Sequence, residues 1–202
     1  MRVKICGLRD VKTALAAVEA GADALGFVFA EKSPRRISPA AAREISLSLP
    51  PFTARVGVFV DAPAAIVLQI ADFCRLDVVQ LHGGEPPDYC RSLPFKVVKA
   101  FRVRDGRSLR GANDYPVDAV LLDAFVPGLA GGTGESFNWE LVVEAGLKKP
   151  VILAGGLSPA NVRQAVAAVR PYAVDVSSGV ETDGEKDLAK IRLFIQRAKE
   201  VL

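Results

Sequence analysis

The chain has 202 residues, 50% of them hydrophobic, with 26 Lys and Arg against 23 Asp and Glu and a formal net charge of +3. That length fills one core, which excludes a disordered chain and puts a single domain over residues 1–202. Charges break every apolar run short of the ~18 residues a membrane span needs, Arg2 and Lys4 interrupt any secretory leader, and the bases are scattered rather than massed, so a soluble cytoplasmic protein with neither membrane nor nucleic-acid partner is expected.

Cys6, Cys74 and Cys90 are an odd number without CxxC spacing, and His82 is the one histidine. Neither a disulfide framework nor a metal centre is suggested, so metal is expected to be absent.

In chain order, short β-type runs alternate with helical patterns. The first run, 2–6, ends in Cys6; Asp10 then caps a helix carrying Leu15, Val18 and Ala22 toward a core, and Gly21 ends it. Run 24–29 leads to the polar loop 31–36, with Arg35 and Arg36, and to a helix capped by Ser38 with Pro39 at its first position. Run 56–60 is followed by Asp61 and Pro63, which open the next helix. Run 77–82 ends in His82 before Gly83-Gly84 and a short helix from Pro87. Runs 96–101 and 119–123 flank a poorer helix over 108–113, and the glycine-rich connection 126–137 after Asp123 reads as a lid. Run 151–154 precedes Gly155-Gly156, a Ser158-Pro159 cap and a helix of Val162, Ala165, Val166 and Val169. Run 173–176 precedes Ser177-Ser178-Gly179, and a last helix covers 186–201.

Eight such units imply an α/β protein with a parallel sheet, and eight close into a single small (β/α)8 TIM barrel. A doubly wound sheet would call for GxGxxG after the first strand, and none is there; Gly132-Thr133-Gly134-Glu135 follows the sixth strand instead.

Active sites of such barrels lie at the C-terminal ends of the strands. Polar residues at those ends are Cys6, Arg35 or Arg36, His82, Asp123, Gly155-Gly156 and Ser177-Ser178-Gly179. Each has an ordinary structural reading: a buried hydrophobe for Cys6, a solvated loop charge for the arginines, a hydrogen-bonded strand end for His82, a salt bridge or cap for Asp123, tight turns for the glycines and serines. As chemistry, glycine and serine after strands 7 and 8 suit a phosphate cradle, and a partly desolvated Asp123 suits a general acid. Either arginine suits a bidentate clamp on a second anion. Alternation points Gln80 and His82 into the barrel and Val79 and Leu81 outward. It also points Lys4 inward beneath Cys6, where a bare ammonium is costly; Asp175 on the adjoining eighth strand is the expected ion-pair partner, and a paired Lys4 still favours a Cys6 thiolate.

The chain resembles the phosphoribosylanthranilate isomerase family end to end. The likeness rests on Val3-Lys4-Ile5-Cys6-Gly7, Gly26-Phe27-Val28-Phe29, Ser33-Pro34-Arg35, Gln80-Leu81-His82-Gly83, Leu121-Leu122-Asp123, Gly131-Gly132-Thr133-Gly134 with Phe137, Ala154-Gly155-Gly156-Leu157 with Pro159 and Asn161-Val162, and Asp175-Val176-Ser177-Ser178-Gly179-Val180-Glu181. The resemblance implies an Amadori rearrangement in tryptophan biosynthesis on a small substrate bearing phosphate and carboxylate, without a cofactor. It implies Cys6 as general base, Asp123 as general acid and Arg35 as holder of the anthranilate carboxylate. It further implies a phosphate cradle of Gly132, Gly134, Gly155, Gly156, Ser177, Ser178 and Gly179, and a substrate contact at His82. Arg9, where Thr is frequent, and Asn138, where Asp is common, depart from the family pattern.

Other readings are a metal-dependent epimerase, which would need more than one His; an aldolase using Lys99; and a non-catalytic phosphate-binding barrel. The sequence does not give the oligomeric state, and a homodimer is the assembly considered.

Overall fold

The computed structural model describes residues 1–124 and 139–200. Eight parallel strands close into a barrel in chain order: β1 (Arg2–Cys6), β2 (Ala24–Val28), β3 (Ala54–Phe59), β4 (Val78–Leu81), β5 (Lys96–Val103), β6 (Ala119–Ala124), β7 (Val151–Leu153) and β8 (Ala173–Val176). β8 returns to pair with β1, so no edge is left unpaired. Helices α1 (Val11–Glu19), α2 (Pro39–Ser48), α3 (Ala64–Phe73), α4 (Pro87–Arg91), α5 (Glu140–Glu144), α6 (Val162–Val169) and α7 (Leu188–Lys199) accompany the strands.

Strand alternation sorts the apolar residues into two layers. Val3, Ile5, Leu25, Phe27, Val79, Leu81, Val120, Leu122, Leu153 and Val174 face outward into the main core between barrel and helices. Smaller inward residues, among them Val98, Ala100, Ala119, Ile152, Ala154 and Ala173, fill the barrel interior around Leu121.

The cap residues read from the sequence act as expected at two helices. Asp10 accepts a 2.8 Å bond from Thr13 N at α1, and Ser38 Oγ accepts from Ala41 N at α2; such caps contribute about 1 kcal/mol each. Three other expectations are corrected. Ser158 does not cap α6: its own turn occupies 158–161, with Ser158 N donating to Asn161 Oδ1, so the helix begins at Val162. Asp61 does not open α3 but ties two loops together, donating from its N–H to Glu85 and accepting at Oδ1 from Gly84 N. The helix expected over 108–113 is two 3-10 turns, Gly106–Leu109 and Ala112–Asp114, which bury only Leu109 and Ala112 and so offer little to extend an α-helix.

The last helix begins two residues later than the expected 186, at Leu188, with Asp187 capping it. The preceding residues instead form a small hairpin, β9 (Glu181–Thr182) and β10 (Glu185–Lys186). Asp183 and Gly184 turn it, both with positive φ (53° and 80°), as a two-residue turn that follows strand twist requires.

At the opposite, N-terminal face, Asp23, Asp77 and Asp118 each stand just before an even strand. Each accepts a bond at Oδ2 from the first tier of the preceding odd strand, from Val3 N, Arg55 N and Val97 N at 2.8, 2.8 and 2.9 Å. Each returns its own N–H to the carbonyl of the same residue.

Candidate active site

The C-terminal mouth of the barrel holds a cavity into which Cys6, Arg35, His82, Asp123, Gly155, Gly156, Ser177 and Ser178 all project or line the wall, joined by Ser33, Gln80 and Asp175. The strand-end residues read from the sequence thus converge on one space. Gly179 stands one residue behind it, in a 3-10 turn (Ser178–Val180) packed against Leu157. Of the adjacent arginines, Arg35 lines this cavity, whereas Arg36 borders a separate groove with Phe59 and Asp61. Gly132, Gly134 and the 126–137 lid lie outside the described residues.

Cys6 is buried at 7% exposure at the end of β1. Beneath it, Lys4 Nζ pairs with Asp175 Oδ1 at 2.9 Å, from register-matched positions of β1 and β8. The ion pair expected from alternation is therefore present. Burial alone would lower the Lys4 pKa, but Asp175 and the Cys6 sulfur more than offset it, and the net direction is upward. Burial likewise pushes the Cys6 thiol above its ordinary value; Lys4 pulls it down, Asp175 adds to the rise, and Lys186 opposes it. Lys4 does favour the thiolate, as expected, yet desolvation outweighs it. Gly26 on β2 makes room for this arrangement: a Cβ there would stand 2.7 Å from Cys6 Sγ and 3.1 Å from Lys4 Nζ.

Across the mouth, Asp123 Oδ2 lies 3.2 Å from His82 Nε2, and His82 Nδ1 lies 3.2 Å from Gln80 Nε2. The Gln80 amide can only donate through that nitrogen, so Nδ1 accepts and a neutral ring carries its hydrogen on Nε2, donating to Asp123. Alternation on β4 is as expected, with Gln80 inward and Val79 and Leu81 fully buried outside.

Arg35 Nε and Nη2 donate to Glu181 Oε1 and Oε2, both at 2.7 Å. Lys186 Nζ reaches Glu181 Oε1 at 2.6 Å and Ser177 O at 2.9 Å. Burial would raise the Glu181 pKa, but bonds from Arg35 and Lys186 prevail and hold it down at about 2. Sequence reasoning gave no role to either residue. A signal was present in Glu181-Thr182-Asp183-Gly184-Glu185-Lys186, where Asp-Gly between short runs marks a hairpin.

Lys99 is not in this cavity. It faces outward from β5, buried, and pairs with Glu85 at 3.0 Å while donating to Gly83 O at 2.6 Å. Among the described residues no group of three or more His, Cys, Asp and Glu is arranged to hold a metal.

The family model for N-(5′-phosphoribosyl)anthranilate isomerase matches residues 3–197. The chain belongs to this isomerase family. It is similar to the N-(5′-phosphoribosyl)anthranilate isomerase of Desulforamulus reducens, 58% identical over 100% of this chain and 96% of that protein. It is also similar to the solved phosphoribosylanthranilate isomerase of Thermotoga maritima, with a TM-score of 0.94, 46% identity and 99% of each chain covered. Another solved isomerase, with a TM-score of 0.89, 45% identity and 99% of each chain covered, is in complex with reduced 1-(o-carboxyphenylamino)-1-deoxyribulose 5-phosphate. The chain is accordingly an intramolecular isomerase of tryptophan biosynthesis that turns N-(5-phosphoribosyl)anthranilate into 1-(2-carboxyphenylamino)-1-deoxyribulose 5-phosphate. The epimerase, aldolase and non-catalytic readings fall away, the aldolase also because Lys99 points into the wrong layer.

Proposed function

We propose that this rearrangement runs on Cys6 as general base and Asp123 as general acid. Asp123, protonated on the oxygen that His82 leaves free, gives its proton to the furanose ring oxygen; the ring C–O bond breaks and the amine nitrogen forms an iminium. The Cys6 thiolate then removes the C2′ proton, which the cationic iminium acidifies, and the resulting enol-amine tautomerises to the ketone. Arg35 holds the anthranilate carboxylate, and Gly155, Gly156, Ser177 and Ser178, with Gly179 behind them and Gly132 and Gly134 by family likeness, hold the phosphate. His82 keeps Asp123 oriented. Holding both ends of the substrate fixes the reacting carbon between acid and base.

The observation that carries this reading is the meeting of Cys6, Asp123 and Arg35 in one cavity, from strands 1 and 6 and loop 2. Loss of the substrate's anthranilate fluorescence tests it in wild type, Cys6→Ser and Asp123→Asn. Each substitution is expected to lower kcat by at least about 10²-fold. Unchanged activity in both variants rejects the assignment.

The protein works as one domain over 1–202, in the cytoplasm and as a homodimer. Buried, free Cys6, Cys74 and Cys90 fit a reducing compartment. The Thermotoga maritima relative has been solved as monomers of a dimeric isomerase. In this chain Phe52, 98% exposed, precedes β3 at the N-terminal face, where Ala54, Val56, Val78, Val98 and Ile152 line an apolar cavity. A second copy's Phe52 suits that cavity. Sedimentation is expected to give a dimer for wild type and a monomer for Phe52→Asp; a wild-type monomer rejects the pairing.

A further inference from the structure

The carboxylate clamp poses a problem of charge. Arg35 is already engaged along its Nε–Nη2 edge by Glu181, in a bidentate pair with side-chain exposures of 18% and 8%. A guanidinium neutralised by a buried carboxylate has no net charge left to attract a second one. The third member of the cluster changes this. Lys186 Nζ, on a side chain 7% exposed, bonds the same Glu181 oxygen, so the group Arg35, Glu181 and Lys186 carries one net positive charge.

The hairpin supplies both outer members. Glu181 and Lys186 are register partners across β9 and β10, and the turn at Asp183-Gly184 brings them face to face. Lys186 also bonds Ser177 O and Oγ, and Ser177 Oγ donates to Cys6 O at 3.1 Å, which anchors the cluster to the ends of β8 and β1. Arg9, the family departure in loop 1, bonds Pro34 O and Glu185 and so ties the hairpin to the loop carrying Arg35.

With Glu181 holding one edge, the planar fork of Arg35 cannot swing. Arg35 itself lines the cavity wall. We infer that Glu181 and Lys186 are positioning residues that set the site's preference for a substrate with a ring carboxylate: Glu181 aims Arg35 and Lys186 returns the charge that Glu181 cancels. This deepens the proposed role of Arg35 and rests on it.

The test uses two ligands, the reduced product analogue and the same compound without its ring carboxylate, with dissociation constants measured on the whole protein. Wild type prefers the carboxylate form, and Arg35→Ala loses that preference; if it does not, the role of Arg35 fails, and the inference with it. Given that loss, Glu181→Gln and Lys186→Met are each expected to cut the preference about tenfold while the ligand without carboxylate binds as before. KM is expected to rise and kcat in Glu181→Gln to stay within about threefold. Glu181→Asp restores part of the preference. Equal loss of both ligands, or no change in preference while Arg35→Ala loses it, overturns the inference alone. If Glu181→Gln does not fold, Lys186→Met, which leaves the Arg35–Glu181 fork in place, decides by the same two outcomes.

Discussion

Replacing Lys4 and Asp175, separately and together, separates what the buried pair does for the fold from what it does for the thiol. Both side chains are nearly buried, at 6% and 10% exposure, and bond at 2.9 Å. Lys4→Met leaves a buried carboxylate and Asp175→Leu a buried ammonium, so each is expected to cost about 3 to 5 kcal/mol. The double variant replaces the pair by apolar groups and is expected within about 1 kcal/mol of wild type, since a buried pair's attraction roughly offsets its desolvation. Denaturant titration with constant m gives these values. Activity is expected not to recover with stability. The mechanism proposed above needs a thiolate at Cys6 and an acid proton on Asp123. Asp175 opposes the Lys4 contribution, which is the larger, so the thiol pKa is expected to rise when both go. The thiol's limb of kcat/KM then moves to higher pH and the plateau falls. Additive single costs, or a plateau that falls without the limb moving, refute this account.

Three further results are expected. Gly26→Ala places a methyl 2.7 Å from Cys6 Sγ, so kcat is expected to fall by at least about tenfold with a smaller effect on KM, read by the same fluorescence assay. Glu181, depressed from 4.5 to about 2, contributes stability that is present above pH 4.5 and lost as pH falls toward 2. By linkage that amounts to about 3 kcal/mol, so the slope of stability against pH between these values is expected to flatten in Glu181→Gln. Lys99→Met leaves Glu85 buried and unpaired and is expected to lower stability by about 3 to 5 kcal/mol in denaturant titration, while borohydride with substrate leaves wild-type activity intact.

The barrel was legible because its signals are local. Strand alternation, the caps at Asp10 and Ser38 and the strand-end residues each sit within a few positions of one another, and the same alternation led from Lys4 to Asp175 once β8 was taken to close on β1. The clusters around Arg35 and Lys99 were not. Arg35 and Glu181 are 146 residues apart, and nothing in either neighbourhood specifies the other. Lys99 offered a lysine on a barrel strand, and only the parity of β5, with Val98 and Ala100 inside, shows that it serves Glu85 and the 83–85 loop. Lys186 was absorbed into the last helix because its basic, polar neighbourhood fits a helix start as readily as a hairpin. Around Ser158 the cap type was right in chemistry and wrong in place, since Asn161 closes a turn there first.

The aspartates at the N-terminal face join strands only in pairs: β1 with β2, β3 with β4, β5 with β6. No such clamp spans β2 to β3 or β4 to β5 among the described residues. The barrel therefore has built-in seams, and a cut or permuted terminus placed after an even strand's helix keeps every clamp, whereas one placed after an odd strand's helix separates the two halves of a clamp along the chain. The natural unit for rearranging this protein is two strands and two helices.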